Sequence, residues 1–261
     1  QILQEYESKL SFLSEIDEGQ ADAVNKGIAF AQGEIIGWLN SDDLYYPNAV
    51  SRIVEIFNDH PAIDVVYGEG CHITKSGTVI ARYPTESFHY QKLAERCFIC
   101  QPTVFIRKKC LNSIGSLDKN LDLCMDYDLW IRIGKEYNFY YYPEEIAKSR
   151  IYPENKTLSR IDEVFTEVLE MIHSHYGYYP ISWIYGYEKY KSQSKGFGRI
   201  FLNTIINFLR MNCSNQKQMI LYIIYLCSPQ YREGKIYIEI LNLCRMTLEK
   251  KGNFIKIDCR Y

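Results

Sequence analysis

The residues with the clearest chemical potential follow one short apolar run. Glu34-Ile35-Ile36-Gly37-Trp38-Leu39 leads into Asn40-Ser41-Asp42-Asp43. Adjacent carboxylates at the carboxyl end of a buried strand sit where open α/β sheets bind their ligands. Oxygen-only ligands suit a hard divalent cation, Mn²⁺ or Mg²⁺, which completes its shell with waters and nucleotide phosphates. The competing roles for Asp42 and Asp43 are helix capping and an ordinary Asp turn. Capping fits poorly, because Pro47 suits the first position of a helix that starts beyond them. A second cluster pairs Cys97 and Cys100, with Cys71 and His72 able to complete four zinc ligands only by a long-range approach. Buried free thiols are the simpler reading of those cysteines.

The elements that must position these groups alternate. Ala23, Val24, Gly27, Ile28 and Ala31 recur at helical spacing, with Gly33 as a left-handed cap. The apolar run before Asn40 is a strand buried on both faces. The helix from Pro47 carries Val50, Ile53, Val54 and Phe57 as its apolar stripe, and Asp64-Val65-Val66-Tyr67-Gly68 is a second buried strand. This rhythm predicts an α/β fold with a mostly parallel sheet and flanking helices. Residues 74–83 read as a hairpin turning at Lys75-Ser76-Gly77. Residues 101–106 read as a strand start, 126–133 as a helix with Trp130 in the core, and 139–142 as extended chain.

Five segments in order resemble family-2 glycosyltransferases of the GT-A fold, a Rossmann-like sheet. They cover residues 14–157. They are the acidic-Gly-Gln segment at Asp17-Glu18-Gly19-Gln20 with Asn25-Lys26-Gly27, then Leu39-Asn40-Ser41-Asp42-Asp43, Gln101-Pro102-Thr103, Met125-Asp126-Tyr127-Asp128-Leu129-Trp130, and the closing loop from Arg150 to Lys156. Asn40 stands where the family most often has its first carboxylate, and Tyr152 where it has His. The resemblance implies a nucleotide-sugar donor, held with Mn²⁺ or Mg²⁺ on Asp42 and Asp43. Asn40 would bond a ribose or phosphate, and Asp17 would approach the nucleotide. Arg150 and Lys156 would clamp the diphosphate, cations being the expected partners of phosphate.

Asp126 is the catalytic base that the resemblance implies. Displacement of a nucleoside diphosphate by a hydroxyl requires a proton acceptor on the attacking side, and one carboxylate opposite the leaving group suffices for inversion. The rival role of Asp126 is to cap the helix that follows. Asp128 is either a second acidic member or a favourable charge at the positive helix end. Asp17 equally fits a simple turn, and Arg150 and Lys156 a solvated loop.

Composition narrows the class. With 30 basic and 32 acidic side chains among 261 residues, the chain lacks the basic excess of a nucleic-acid binder. The longest apolar run, 219–227, is far short of the ~20 residues that span a membrane. Nine scattered cysteines match cytosolic thiols rather than a disulfide framework. The chain starts with Gln1, and the family's first strand-helix units have no counterpart before it, so an N-terminally truncated GT-A domain is expected over 1–160. A mainly helical region is expected over 161–261. Within it Arg199, Asn203, Asn207 and Arg210 form a polar stripe on an otherwise apolar helix, which is either buried or in peripheral contact with a membrane surface.

The function expected is an inverting, metal-dependent hexosyltransferase acting on a glycan or lipid-linked acceptor in surface polysaccharide or cell-wall synthesis. Its expected location is the cytoplasm, with association at the inner face of the membrane. A non-catalytic binding remnant of such an enzyme is the alternative. A nucleotidyltransferase would show a Gly-rich basic loop, and the sequence has none.

Overall fold

The structure, a computed structural model, describes residues 3–6, 9–192, 197–212, 246–251 and 254–259. The chain forms two compact units, Gln1–Ile205 and Ile206–Tyr261. In the first, six strands form one sheet: β1 (Ile35–Gly37), β2 (Leu44–Tyr45), β3 (Val65–Ile73), β4 (Val79–Arg82), β5 (Phe105–Arg107) and β6 (Phe139–Arg150). The order is β1-β5-β3-β6-β2, with β4 beside β3. Only β3 and β6 run parallel, and every other pair is antiparallel. The sheet is therefore mixed, where a mostly parallel one was expected. A strand buried on both faces reads as an unbroken apolar run whichever way its neighbours point.

Helices cover both faces. The helices among the described residues are α1 (Gln20–Phe30), α2 (Ala49–Asp59), α3 (Lys92–Glu95), α4 (Lys108–Ile114), α5 (Met125–Gly134), α6 (Lys156–Ser159), α7 (Ile161–Tyr176), α8 (Ile181–Lys191) and α9 (Phe197–Met211). Side chains alternate across a strand. Accordingly Val65 and Tyr67 join the core containing α1, α4, α5 and α7, while Val66 joins that under α2. Trp130 is fully buried in the larger core, as its helical spacing predicts.

Three local expectations shift. Helix α2 starts at Ala49 behind a left-handed Asn48, so it buries Ala49, Ile53, Ile56 and Phe57 and leaves Val50 and Val54 exposed. Helix α1 ends with Ala31 in extended conformation, and Gly33 does not cap it. Residues 101–103 form a 3-10 turn before β5 rather than the strand itself.

Helices α7 and α8 belong to the same compact unit as the sheet. In α9, Ile205 is buried and Asn203 donates to Glu188 Oε2, which favours burial of this part of the helix. Residues 246–251 and 254–259 pair as antiparallel strands β7 and β8, in a region expected to be mainly helical. The apolar run 219–227 lies outside the described residues. Among the described residues, no helix is long and apolar enough to cross a membrane.

Candidate active site

Four chain segments converge on a cavity of about 770 Å³: the turn between β1 and β2, the 101–103 turn, the start of α5, and the loop after β6. The two-residue β2 sets the first of these. Leu44 pairs with Lys148 and Tyr45 with Ala147, which lays Asp42 and Asp43 beside the carboxyl end of β6. Gly70 lets the cavity wall close: a Cβ there would lie 2.6 Å from Cys100 Sγ.

Asp42 and Asp43 diverge. Asp43 is buried, its Oδ1 accepts from the Arg150 N–H at 2.8 Å, and its Oδ2 accepts from Asn40 Nδ2 at 3.3 Å. Burial pushes its carboxyl up, the Arg150 bond opposes this, and the neighbouring Asp42 charge adds to it. Asp42 lines the cavity, and its carboxylate accepts a bond from the Tyr152 hydroxyl, 3.0 Å away. Among the described residues no group of three or more His, Cys, Asp and Glu is placed to hold a metal. One open carboxylate fits an ion that arrives with phosphates and waters, and not a resident all-protein cage.

Asn40 is fully used within the protein. Its Oδ1 accepts from Trp38 Nε1 at 3.1 Å and Gln20 Nε2 at 3.4 Å, and its Nδ2 also donates to Gln101 Oε1 at 3.1 Å. Gln101 in turn donates to the Trp38 carbonyl at 2.7 Å. This network ties the Asp42-Asp43 turn to the 101–103 turn, a role that Asn's donor and acceptor ends both serve.

The two basic residues are engaged as well. Arg150 donates through Nε to the Asp42 carbonyl at 2.8 Å and through Nη1 to the carbonyls of Thr74 and Lys75, so it staples the β3–β4 turn to the site. Lys156 is ion-paired with Asp122, which also receives Arg160. Both Lys156 and Asp122 line the cavity. Asp17 is elsewhere: its Oδ1 accepts from the Gly19 N–H at 3.0 Å, and it borders a separate cleft of about 590 Å³ beside α1.

Asp126 lines the cavity and is not the cap of its helix. The N-cap position is Cys124, and Asp126 Oδ1 accepts the Tyr127 N–H at 2.8 Å. Burial pushes its carboxyl up to about 6, against the two backbone bonds that lower it. A carboxyl near neutrality combines proton affinity with ionisation at working pH. Asp128 faces away into structure, bonded by Arg132 Nε and His175 Nε2 at 2.7 Å each. Burial disfavours its charge, yet His175 and Arg132 hold the carboxyl below its usual range.

Cys71, Cys97 and Cys100 are free thiols, and burial pushes Cys97 up to about 12. His72 Nδ1 and Trp183 Nε1 are buried without a bonding partner, on residues that line the cavity. The sequence names His72 only as a long-range zinc candidate and does not single out Trp183, since nothing in its local spacing distinguishes it from core.

This mixed sheet with flanking helices, an acidic turn after its first strand and a half-buried carboxylate across the cavity is a GT-A-like α/β fold. Residues 1–115 match the glycosyl transferase family 2 domain. An uncharacterised glycosyltransferase of Rickettsia prowazekii is 28% identical over 167 residues, covering 61% of this chain and 52% of the relative. Chondroitin synthase of Escherichia coli is 23% identical over 165 residues, or 62% of this chain and 24% of that one. The chain thus spans about half the length of the first of these and less of the second. Among solved structures, S. aureus TarS matches 99% of this chain and 83% of its own with a TM-score of 0.51, at 13% identity, a likeness of fold.

Proposed function

We propose that the chain transfers a sugar from a nucleotide-sugar donor to a hydroxyl of a glycan or lipid-linked acceptor, with inversion, in surface polysaccharide synthesis. The observation that carries this reading is the pairing, in one cavity, of the Asp42 carboxylate, bonded through Oδ2 to Tyr152, with the Asp126 carboxyl, which burial pushes up to about 6. Asp126 accepts the acceptor's proton as the hydroxyl attacks. Asp42 holds Mn²⁺ or Mg²⁺ with the donor diphosphate. Such an ion offsets the charge that develops on the leaving group. Nη2 of Arg150 and the Lys156 amine, once drawn from Asp122, bind the diphosphate. TarS has been crystallised with UDP-GlcNAc, and a donor of that chemical class is the one proposed here. A cytoplasmic site against the inner membrane face accords with a lipid-linked acceptor.

A second reading, a binding remnant without turnover, draws on how many expected donor contacts are already engaged: Asn40, Arg150 and Lys156 bond within the protein. Nucleotide release from UDP-, GDP- and dTDP-sugars in the presence of Mn²⁺, with and without an acceptor mixture, separates the two. Acceptor-dependent release that Asp126→Asn removes supports transfer. Donor binding by calorimetry with no release under any condition supports the remnant.

A further inference from the structure

Helix α5 has no cap of its own. Its N-cap is Cys124, whose side chain bonds none of the free amides. The first N–H groups of a helix lack intrahelical partners and must find others. Here Asp126 takes the N–H of Tyr127 within the first turn, and α7 supplies partners for the residues that lead into the helix, up to its N-cap Cys124. Glu167 Oε1 accepts from the N–H groups of Leu123 at 2.7 Å and Cys124 at 2.8 Å, and Oε2 accepts from that of Asp122 at 3.0 Å. Bonds of this length to an ionised acceptor are among the strong ones, and a negative charge at a helix's amino end is favoured by its dipole.

Helix α7 grips α5 a second time, through His175 on Asp128. Asp126 lies between the two grips. Its own side-chain bond reaches only the next residue, so nothing distant aims it directly. Its orientation is inherited from the turn that Glu167 holds.

We infer that Glu167 is a positioning residue: by fixing residues 122–124 it aims Asp126 into the cavity. The inference rests on the reading of Asp126 as the base. Glu167 acts through backbone amides alone, and it lies beyond the segment matched to the family domain.

The titratable groups around Asp126 are Tyr83, Cys97, Cys100 and Cys124, all raised by burial and neutral near pH 7. Asp128 and Glu167 carry the flanking charges on α5 and α7. The test compares Glu167→Ala, Glu167→Gln and Asp126→Asn in the full chain, measuring kcat, donor KM and the pH-rate profile. A carbon-13 titration of the Asp126 carboxyl is read in the wild type and both Glu167 variants. Glu167→Ala is expected to lower kcat ~10–100-fold with donor KM changed less than ~2-fold. Glu167→Gln keeps one acceptor oxygen and should lose only ~3–10-fold. As water reaches the loosened turn, the Asp126 carboxyl should titrate below 6 in Glu167→Ala.

Wild-type kcat and an unmoved Asp126 titration in both Glu167 variants, beside an inactive Asp126→Asn, overturn the inference and leave the base assignment standing. Full turnover by Asp126→Asn overturns both. If Glu167→Ala does not fold, Glu167→Gln decides by the same criteria. The NMR titration decides even where turnover is too slow to measure.

Discussion

The hydroxyl of Tyr152 donates to Asp42 Oδ2 at 3.0 Å, joining positions 110 residues apart. The bond occupies the one carboxylate left open by the network around Asn40. Lys75 sits over the Tyr152 ring at 4.9 Å and pairs with Glu154, so the phenol is held from the β3–β4 turn as well. Any cation reaching Asp42 competes with this hydroxyl.

Removing that competitor should strengthen metal binding. Tyr152→Phe is expected to tighten Mn²⁺ binding ~3–10-fold in calorimetric titration, the scale of one ordinary net hydrogen bond. Asp42→Ala should abolish the titration while leaving the circular dichroism spectrum unchanged. Weaker Mn²⁺ binding in Tyr152→Phe would show instead that the phenol orients or ligates.

Asp126 predicts opposite effects on rate and stability. Asp126→Asn should cut turnover ~10²–10⁴-fold with little change in donor affinity. In the wild type, turnover should decline as pH falls through about 6, where the carboxyl gains its proton. Because the folded pKa is raised, the charged form opposes folding. The native state is most favoured below the unfolded value and loses stability as pH rises through about 6. Asp126→Asn should therefore raise stability by up to ~3 kcal/mol at pH 8 and by little at pH ~4, read from urea unfolding.

Asp128 should behave the other way. Its carboxyl is held below the usual range, so its contribution is full above the unfolded pKa and disappears as pH falls through the folded one. Asp128→Asn leaves Arg132 and His175 facing a neutral group. A loss of ~2–4 kcal/mol at pH 7 is expected, shrinking below pH ~4. A melting temperature unchanged at pH 7 would count against the node.

Asn40→Asp tests the position where the family most often carries a carboxylate. The amide that donates to Asp43 and Gln101 would become a second negative charge beside a carboxyl already raised by burial. Destabilisation of ~1–3 kcal/mol is expected at pH 8, recovering as pH falls and one carboxyl protonates. An unperturbed unfolding curve across that range would mean the network relaxes around the charge.

What the sequence disclosed depends on the distance over which each feature is written. The strands around Val65 and Ile36, the core place of Trp130 and the Asp42-Asp43 turn after the first strand all follow from local pattern. Strand direction does not, because an apolar run buried on two faces has the same text in either orientation. Nor does the engagement of the expected ligand-binding residues. Asn40 meets Gln101 across 61 positions, Arg150 meets Thr74 across 76, and Glu167 meets Asp122 across 45. Each pair is polar chemistry whose partner is selected by the fold, so single positions read as free when they are not. Cys124 as N-cap hints at the missing partner, since a helix start without Ser, Thr, Asp or Asn has to borrow its cap from elsewhere.

The register of β2 on β6 has an evolutionary consequence. Leu44 and Tyr45 are held opposite Lys148 and Ala147 by a strand only two residues long. Side chains alternate with a period of two, so adding or removing one residue between β1 and β2 turns the strand over or breaks its pairing. Asp42 would then leave the cavity whatever its neighbours were. The segment 38–43 can accordingly drift in composition, as Asn40 illustrates, while its length is fixed. Homologous sequences should show substitutions there far more readily than gaps.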